Sequence, residues 1–312
     1  MEETNKTTVN FFILLAFTDL QQFQVLLFLI ILFIYVVCTI GNITIIILIK
    51  TDPRLNSPMY SFISVFAALE YLFVSVTVPN LLSNLIGGTQ TIPFIGCFAQ
   101  FYAVCALGGT ECYLLAVMAF DRELAIHFPL RYSAIMRQAL CIELVVLPCF
   151  ACIIIALITT ISTSRLGFCS LNKLNHFICD LGPLQNVSCF VPFHNKVIVI
   201  FTAVSEIVIP FIFTLTFNIH IVSTIINIKS KDGKKKAFST CSSHLIVATL
   251  FYSTAIAVYT TPKGSSYEKY LALMYTVVTP LFNPFIYALR NKDVIAAFRK
   301  AKNSTLWKMN LS

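Results

Sequence analysis

The sequence predicts an all-α membrane protein, a seven-transmembrane helix bundle with a short cytoplasmic amphipathic eighth helix. Of its 312 residues, 57% are hydrophobic and only 12% are charged. Its mean hydropathy of +0.82 lies far outside the range of soluble globular proteins. The sequence contains seven nearly uncharged apolar runs. Each is close in length to the roughly 20 residues that a helix needs to cross a bilayer. Since seven spans cross an odd number of times, we expect the two termini on opposite sides of the membrane.

The chain shows no internal repeat and no soluble domain, so we expect one membrane domain over 1–312. The amino terminus covers 1–23, the helix bundle 24–290 and the cytoplasmic tail 291–312. The predicted spans, in order, are 24–49, 59–85, 98–126, 139–162, 197–226, 237–260 and 270–290.

The distribution of positive charge predicts the orientation. Most of the 22 Lys and Arg residues lie in connections on one side, including the lysine-rich segment 229–238. The positive-inside rule makes that side cytoplasmic and the amino terminus extracellular. The net charge of +8 then reflects topology and contact with anionic membrane lipids, not nucleic-acid binding. On the outer side, Asn5 begins an Asn-Lys-Thr sequon and is the expected glycosylation site.

Two acids lie in the middle of predicted spans, Glu70 in the second and Glu111 in the third. Two carboxyl groups at similar depth are hard to keep separately charged without water, a cation or a shared proton. We expect them to face each other across a polar pocket that holds a sodium ion or a proton. The alternative is two unrelated neutral carboxyl groups that each face the bundle interior. We expect no other metal site and no cofactor.

The third span ends in an adjacent ionisable pair, Asp121 and Arg122. An ionisable pair at the end of an apolar helix is costly in lipid, which favours a functional role. The alternative is that the pair only marks the point where a spanning helix meets water.

Four cysteines fall on the predicted outer side: Cys97 before the third span, and Cys169, Cys179 and Cys189 in the long loop after the fourth. An oxidising exterior favours disulfides, and four cysteines allow three pairings, among which the spacing does not choose.

The fifth and sixth spans carry candidate ligand contacts. Glu206 lies one turn before Pro210, in the outer half of its span, where an acid could meet a polar or cationic ligand. The plainer alternative is a neutral Glu206 hydrogen-bonded to a neighbouring helix. In the sixth span, Tyr252, Ala255, Ile256 and Tyr259 share one helical face. A mixed aromatic and polar wall suits a small-molecule pocket, although ordinary helix packing gives the same pattern.

The seventh span ends with the sequence PLFNPFIYALRN. Pro284 removes one backbone hydrogen bond and Asn283 can bond the freed polar groups, which predicts a hinge near the cytoplasm. Residues 293–302 then alternate apolar and basic faces, as in a helix on the inner membrane surface.

Several motifs together resemble the olfactory receptors of the rhodopsin-like G-protein-coupled class, in their terrestrial-vertebrate (class II) branch. These motifs are Gly41-Asn42, Pro58-Met59-Tyr60, MAFDRELAI at 118–126, KAFSTCSSHL at 236–245 and PLFNPFIYALRN at 280–291. The resemblance implies a non-enzymatic plasma-membrane receptor in the cilia of olfactory sensory neurons. Such a receptor binds a small volatile odorant in the outer half of the bundle. It then activates a heterotrimeric stimulatory olfactory G protein, which raises cyclic AMP.

The same resemblance assigns residues. It implies disulfides Cys97–Cys179 and Cys169–Cys189, and an ion site at Glu70 and Glu111. It makes Arg122 the G-protein-contacting arginine, held at rest by Asp121, with Asn283, Pro284 and Tyr287 in the same switch. The implied odorant contacts are Val104, Cys105, Gly108, Gly109, Thr202, Glu206, Ile207, Tyr252, Ala255, Ile256 and Tyr259, with Tyr252 at the pocket floor.

Three short stretches depart from the family pattern. Glu123 and Leu124 follow Arg122 where the family usually has Tyr and Val, and the added acid is expected either to tighten the resting pair or to disturb coupling. Phe217-Asn218 replaces a Ser-Tyr pair whose tyrosine supports the active arginine. The LNSPMY sequence at the second span is a minor change.

Two other readings stay open on the sequence alone. One is a receptor of the same fold for a non-olfactory small molecule. The other is a transporter or channel, which would show repeated halves and paired broken helices, and neither is found here. An enzyme is disfavoured because the sequence has no metal-spaced His/Cys set, phosphate loop or nucleophile elbow.

Overall fold

The computed structural model describes residues 9–87, 90–169, 172–261, 267–290 and 292–309, without the side chains of 236, 239–240, 259–260, 288–290, 292 and 304–309. Seven helices in these ranges are long and apolar enough to cross a membrane, as the sequence predicts. We call the face that carries the amino-terminal segment the outer face and the opposite one the inner face. The predicted glycosylation site, Asn5, lies outside the described residues.

The first four spans are single helices with bounds close to the predicted ones: Gln24–Thr51, Pro58–Leu85, Phe94–His127 and Gln138–Ser164. Pro58 occupies the first turn of the second span, where a missing backbone N–H costs no helical bond. Short helices lie between spans, at Tyr132–Ile135 on the inner face and Leu181–Asn186 on the outer face.

The fifth and seventh spans each contain a π-helical turn that the sequence analysis did not predict. The fifth runs as Phe193–Ala203, a π turn at Val204–Val208 and Ile209–Asn227. The seventh runs as Glu268–Leu273, a π turn at Met274–Val278 and Thr279–Arg290. Side chains bond the carbonyl groups that such a turn loosens: Tyr113 donates to the Ser205 carbonyl at 2.7 Å, and Thr279 donates to the Met274 carbonyl at 3.0 Å.

The sixth span and the final helix are longer than predicted. The sixth helix covers Lys231–Thr260. It therefore begins six residues before the predicted start at 237. Its first turns are charged, so hydropathy does not detect them, and Ser230 caps them by accepting a hydrogen bond from the Gly233 N–H at 3.3 Å. The final helix covers Lys292–Met309 and not only 293–302.

Burial identifies the third span as the centre of the bundle. In its most apolar stretch of 18 residues, 67% of the residues are buried inside the protein. The corresponding share is 11% in the first and fourth spans. Those two outer spans expose large apolar side chains such as Phe33, Leu147 and Phe150, as expected for helices that face lipid. Side chains on the third span therefore contact several neighbouring helices at once.

A small sheet covers the outer end of the bundle. Strand β1 (Phe11–Leu14) lies between β2 (Thr91–Pro93), to which it is antiparallel, and β3 (Lys173–Leu174), to which it is parallel. The Lys269 ammonium also anchors the amino-terminal segment, because it donates to the Ala16 carbonyl at 3.1 Å and to Asp19 at 2.6 Å. Residues 11–17 thus form a strand and the turn that follows it, packed on the outer loops.

Two disulfides fix the long outer loop. Cys97 at the start of the third span is joined to Cys179, and Cys169 is joined to Cys189. These are the two pairings that the family resemblance implies. The first disulfide holds residues 180–182 over the outer end of the third span.

Candidate functional site

A cavity of about 220 Å³ lies in the outer half of the bundle. Its walls come from the third, fourth, fifth, sixth and seventh spans, and the outer loop closes it from above. The lining residues are Phe101, Val104, Cys105, Gly108, Gly109, Cys112, Thr159, Asp180, Leu181, Gly182, Val199, Thr202, Ala203, Glu206, Ile207, Ala255, Val258, Thr261, Glu268 and Tyr275. A partly open, largely apolar space with a few polar groups has the character of a small-molecule site.

Most of the predicted ligand contacts line this cavity. They are Val104, Cys105, Gly108, Gly109, Thr202, Glu206, Ile207 and Ala255. Glycines at 108 and 109 leave the space that larger side chains would fill, and at Gly109 an added Cβ would meet the Glu206 carboxyl carbon at 2.9 Å and the Cys152 sulfur at 3.2 Å. The Glu206 carboxyl therefore rests directly against the backbone of the third span.

Of the four ligand contacts predicted on the sixth span, Ala255 lines the cavity. Ile256 is 44% exposed and does not line the cavity, because each helical residue is rotated by about 100° from the last and Ala255 takes the inward position. Tyr252 is buried and is not among the residues that line the cavity. Its hydroxyl donates to the Cys112 carbonyl at 3.1 Å and lies 3.3 Å from the Thr214 hydroxyl. The Tyr259 side chain lies outside the described residues.

Several cavity residues were not predicted from the sequence. The loop residues Asp180, Leu181 and Gly182 reach the cavity because the Cys97–Cys179 disulfide holds them there. Glu268 Oε1 lies beside Gly182, 2.6 Å from where a Cβ would stand. Thr159 of the fourth span shares a 2.6 Å hydrogen bond with Thr202. Only the pairing of Cys97 with Cys179 gave a sequence signal for any of these placements.

The mid-membrane acids form one cluster with the seventh span. Glu70 and Glu111 are 1% and 2% exposed and close enough to interact electrostatically. Asn283 donates a hydrogen bond to Glu70 Oε1. Four further oxygens, Glu70 Oε2, Glu111 Oε1, Asn283 Oδ1 and the Tyr287 hydroxyl, are buried without a hydrogen-bond partner among the described residues. Oxygen donors of this kind suit a hard cation such as sodium.

The predicted switch pair is assembled at the inner end of the third span. Asp121 is fully buried and forms a salt bridge with Arg122, with the guanidinium Nε 2.9 Å from Asp121 Oδ2. Tyr132, in the inner loop, donates to the other carboxylate oxygen at 2.7 Å. Burial and this hydrogen bond raise the pKa of Tyr132, so its hydroxyl stays protonated as a donor. The sequence analysis did not predict Tyr132.

Two of the residues that depart from the family pattern, Glu123 and Asn218, differ in their contacts. Glu123 points to the next turn, where its Oε1 lies 3.6 Å from His127 Nδ1. His127 Nε2 lies 2.8 Å from the Thr224 hydroxyl of the fifth span. Asn218 is partly buried, and its Oδ1 has no partner among the described residues. Glu123 thus belongs to a contact between the third and fifth spans, beside the switch pair.

The predicted hinge residue packs on the first span. A Cβ at Gly41 would lie 3.1 Å from Pro284 Cβ, so a larger residue at position 41 would crowd the contact between the two helices. Tyr287, one turn further on, is buried against Phe66 with ring centroids 6.2 Å apart. Asn283, Pro284 and Tyr287 therefore connect the acid cluster to the helix-packing core.

Comparison with known proteins places the chain in a family. The family model described as olfactory receptor matches residues 31–303. Human olfactory receptor 11L1 is 44% identical over 98% of this chain and 97% of its own length. Rat olfactory receptor 1f45 is 42% identical over 96% of this chain and 97% of its own length, and mouse olfactory receptor 6E1 is 43% identical over 95% and 96%. This chain therefore belongs to the olfactory receptor family of multi-pass, non-enzymatic G-protein-coupled receptors.

Proposed function

We propose that this protein is an odorant receptor that binds a small volatile molecule in the outer cavity and activates a stimulatory olfactory G protein, raising cyclic AMP. The outer cavity of about 220 Å³ is the observation that carries this proposal. A dry protein cavity of about 150 Å³ holds benzene, so this one suits a molecule slightly larger than a single ring. Few heavy atoms limit the binding free energy, and we expect weak affinity.

The proposed activation is a shift between two populations. A ligand that binds the active arrangement a hundredfold more tightly supplies about 2.7 kcal/mol toward it. The two π turns contribute Glu206 and Tyr275 to the cavity wall, and π turns are frequent at functional sites. Ligand contact with these turns is the route by which we expect the fifth, sixth and seventh spans to move.

The response at the inner face depends on release of Arg122. In the described arrangement the Asp121 carboxylate accepts hydrogen bonds from both Arg122 and Tyr132, and Arg122 itself is only 7% exposed. Cys241 and His244 of the sixth span are buried close by. Outward movement of the sixth span would expose the guanidinium to the G protein, so coupling follows from loss of these contacts.

The remaining parts of the proposal concern placement and ions. Arginines and lysines on the inner face support an extracellular amino terminus, with Asn5 glycosylated, in the cilia of olfactory sensory neurons. We also propose sodium at Glu70 and Glu111, where buried oxygens that have no hydrogen-bond partner among the described residues favour a cation. Sodium there would stabilise the packing of the second, third and seventh spans.

A screen of the receptor against a broad odorant panel, with cyclic AMP as readout, tests this function. For each active odorant, Ala255→Phe should fill the cavity and remove the response. The matched control is Ala151→Phe, because Ala151 is exposed on the fourth span and should keep the response. An unchanged response in Ala255→Phe at equal surface level would contradict the proposed site.

A further inference from the structure

We propose that the preferred ligand is a small amine, bound as its ammonium ion against the Glu206 carboxylate. This inference deepens the proposed function and rests on its cavity. It assigns a chemical class of ligand, and it makes Glu206 the residue that recognises the charged group.

Glu206 places a buried carboxyl group in the cavity wall. It is 96% buried, at 4% exposure, and it lines the cavity. Its Oε1 has no hydrogen-bond partner among the described residues. The packing of its carboxyl against Gly109 fixes the group in place. A buried carboxyl at membrane depth costs free energy unless another group bonds it, so its position is explained if the ligand supplies that group.

The charges of the lining have one sign. The described lining residues include three acids, Asp180, Glu206 and Glu268, and no Lys, Arg or His. Asp180 also caps the next helix by accepting from the Leu181 N–H at 2.8 Å. The nearby Lys269 points away, to Asp19 and the Ala16 carbonyl. A cleft lined by charges of one sign, with low-dielectric walls, concentrates ions of the opposite sign, which favours cations and disfavours carboxylates.

The rest of the cavity suits the apolar part of a small amine. Phe101, Val199 and Tyr275 provide apolar and aromatic surface, and Glu206 lies at the level of Gly109 on the third span. The size of the space limits the ligand to a body of about one ring or a short branched chain. A ligand with one ammonium group and one compact apolar group would contact both kinds of wall.

Proton balance is satisfied by either route of entry. A neutral amine can take the proton from a neutral Glu206, or an ammonium ion can meet an ionised Glu206. Both give the same ion pair with the same total charge. A charge-assisted hydrogen bond between ammonium and carboxylate is about twice as strong as a neutral one, and salt screens it little because Glu206 is buried.

The test uses benzylamine, benzyl alcohol and benzoate as probes of equal size on the full-length receptor. Binding is measured as ligand-dependent thermal stabilisation of purified receptor in lipid nanodiscs, and coupling as cyclic AMP in cells. We expect benzylamine to bind wild type about tenfold or more tighter than benzyl alcohol, with no stabilisation by benzoate. Glu206→Gln should remove the preference, whereas Glu143→Gln, which removes an exposed acid of the fourth span, should keep it.

The outcomes separate this inference from the proposed function. Benzylamine stabilisation that needs Glu206, without any cyclic AMP response, supports the amine site and counts against the coupling. A preference for benzyl alcohol, or an equal preference in wild type and Glu206→Gln, overturns the amine site and leaves the odorant-receptor proposal standing. If Glu206→Gln does not fold, Glu206→Asp is used, where a weakened benzylamine preference supports the inference and an unchanged one opposes it.

Discussion

The Tyr132 hydroxyl and the Asp121 carboxylate are joined by a 2.7 Å hydrogen bond at the inner end of the third span. Asp121 binds Arg122 through its other oxygen, so the carboxylate is held from two sides. The arrangement leaves Arg122 paired, buried and unavailable to a partner protein. In the proposed mechanism, Tyr132 of the inner loop therefore helps to hold the receptor in its resting state.

Tyr132→Phe is expected to raise the basal cyclic AMP level. Removing one hydrogen bond costs about 1 kcal/mol, which shifts the resting equilibrium by about fivefold toward the active state. Basal cyclic AMP at matched surface expression measures this shift. The control is Tyr35→Phe, since the described residues give the Tyr35 hydroxyl no hydrogen bond. Equal basal levels in wild type and Tyr132→Phe would show that Tyr132 does not stabilise the resting pair.

Gly109→Ala is expected to reduce ligand potency by about tenfold while the receptor still reaches the surface. The added methyl would lie 2.9 Å from the Glu206 carboxyl carbon, so the flexible end of Glu206 must move out of its place in the cavity. Concentration–response curves in the cyclic AMP assay measure the change. Gly167→Ala serves as the control, because its Cβ would meet the Cys189 sulfur at an ordinary 3.7 Å. A similar potency in both variants would rule out the positioning of Glu206 by Gly109.

The outer loop is expected to lose stability in acid because its His176 side chain is buried. The side chain is buried and stacks on Phe177, and its Nδ1 accepts from the Ile178 N–H at 3.2 Å. Burial lowers the pKa of His176 to about 4, whereas the unfolded pKa is about 6.5. Between these values the unfolded chain binds more protons, so stability is full above pH of about 6.5 and falls as the pH drops toward about 4.

The measurement is the melting temperature of the purified receptor from pH 7 to pH 4.5, for wild type and His176→Asn. Asn offers an oxygen to the Ile178 N–H but does not titrate, so the variant should lose less stability in acid than wild type. Carboxyl groups shared by both proteins titrate equally and cancel in the comparison. Parallel pH profiles would contradict a buried neutral His176.

Sodium is expected to raise the melting temperature of the receptor by roughly 2 °C or more relative to choline at equal ionic strength. The physical reason is that the cation bonds the buried oxygens of Glu70 and Glu111, which lack partners among the described residues. Glu111→Gln should remove the sodium effect, and Glu143→Gln should keep it. A sodium effect that survives in Glu111→Gln would place the ion elsewhere.

The sequence predicts the spans well because the part of a helix that lies in lipid has high local hydropathy. The second span is predicted at 59–85 and found at Pro58–Leu85, and the fourth at 139–162 and found at Gln138–Ser164. The sixth begins earlier than predicted, at Lys231, because its first turns extend out of the apolar region. Hydropathy detects the part of a helix in lipid and not its charged extension.

The features that sequence analysis missed depend on contacts between distant segments. Strand β1 exists because Phe11–Leu14 meets residues 91–93 and 173–174, and no local pattern encodes that pairing. Glu206 lies inside the π turn at Val204–Val208, which local hydropathy does not reveal. Helical spacing assigned Ile256 and Ala255 to the same face of the sixth span. In the structure Ala255 lines the cavity, whereas Ile256, the next residue, is on the exposed side of the helix.

The most direct test of the account is the agonist-stimulated cyclic AMP response of Arg122→Ala. The control is Arg131→Ala, which removes an exposed arginine of the neighbouring loop. Both variants are compared with wild type at equal surface expression, using an odorant whose response Ala255→Phe abolishes. We predict that Arg122→Ala still binds the odorant and gives no cyclic AMP response, while Arg131→Ala responds. A full response from Arg122→Ala would contradict the account.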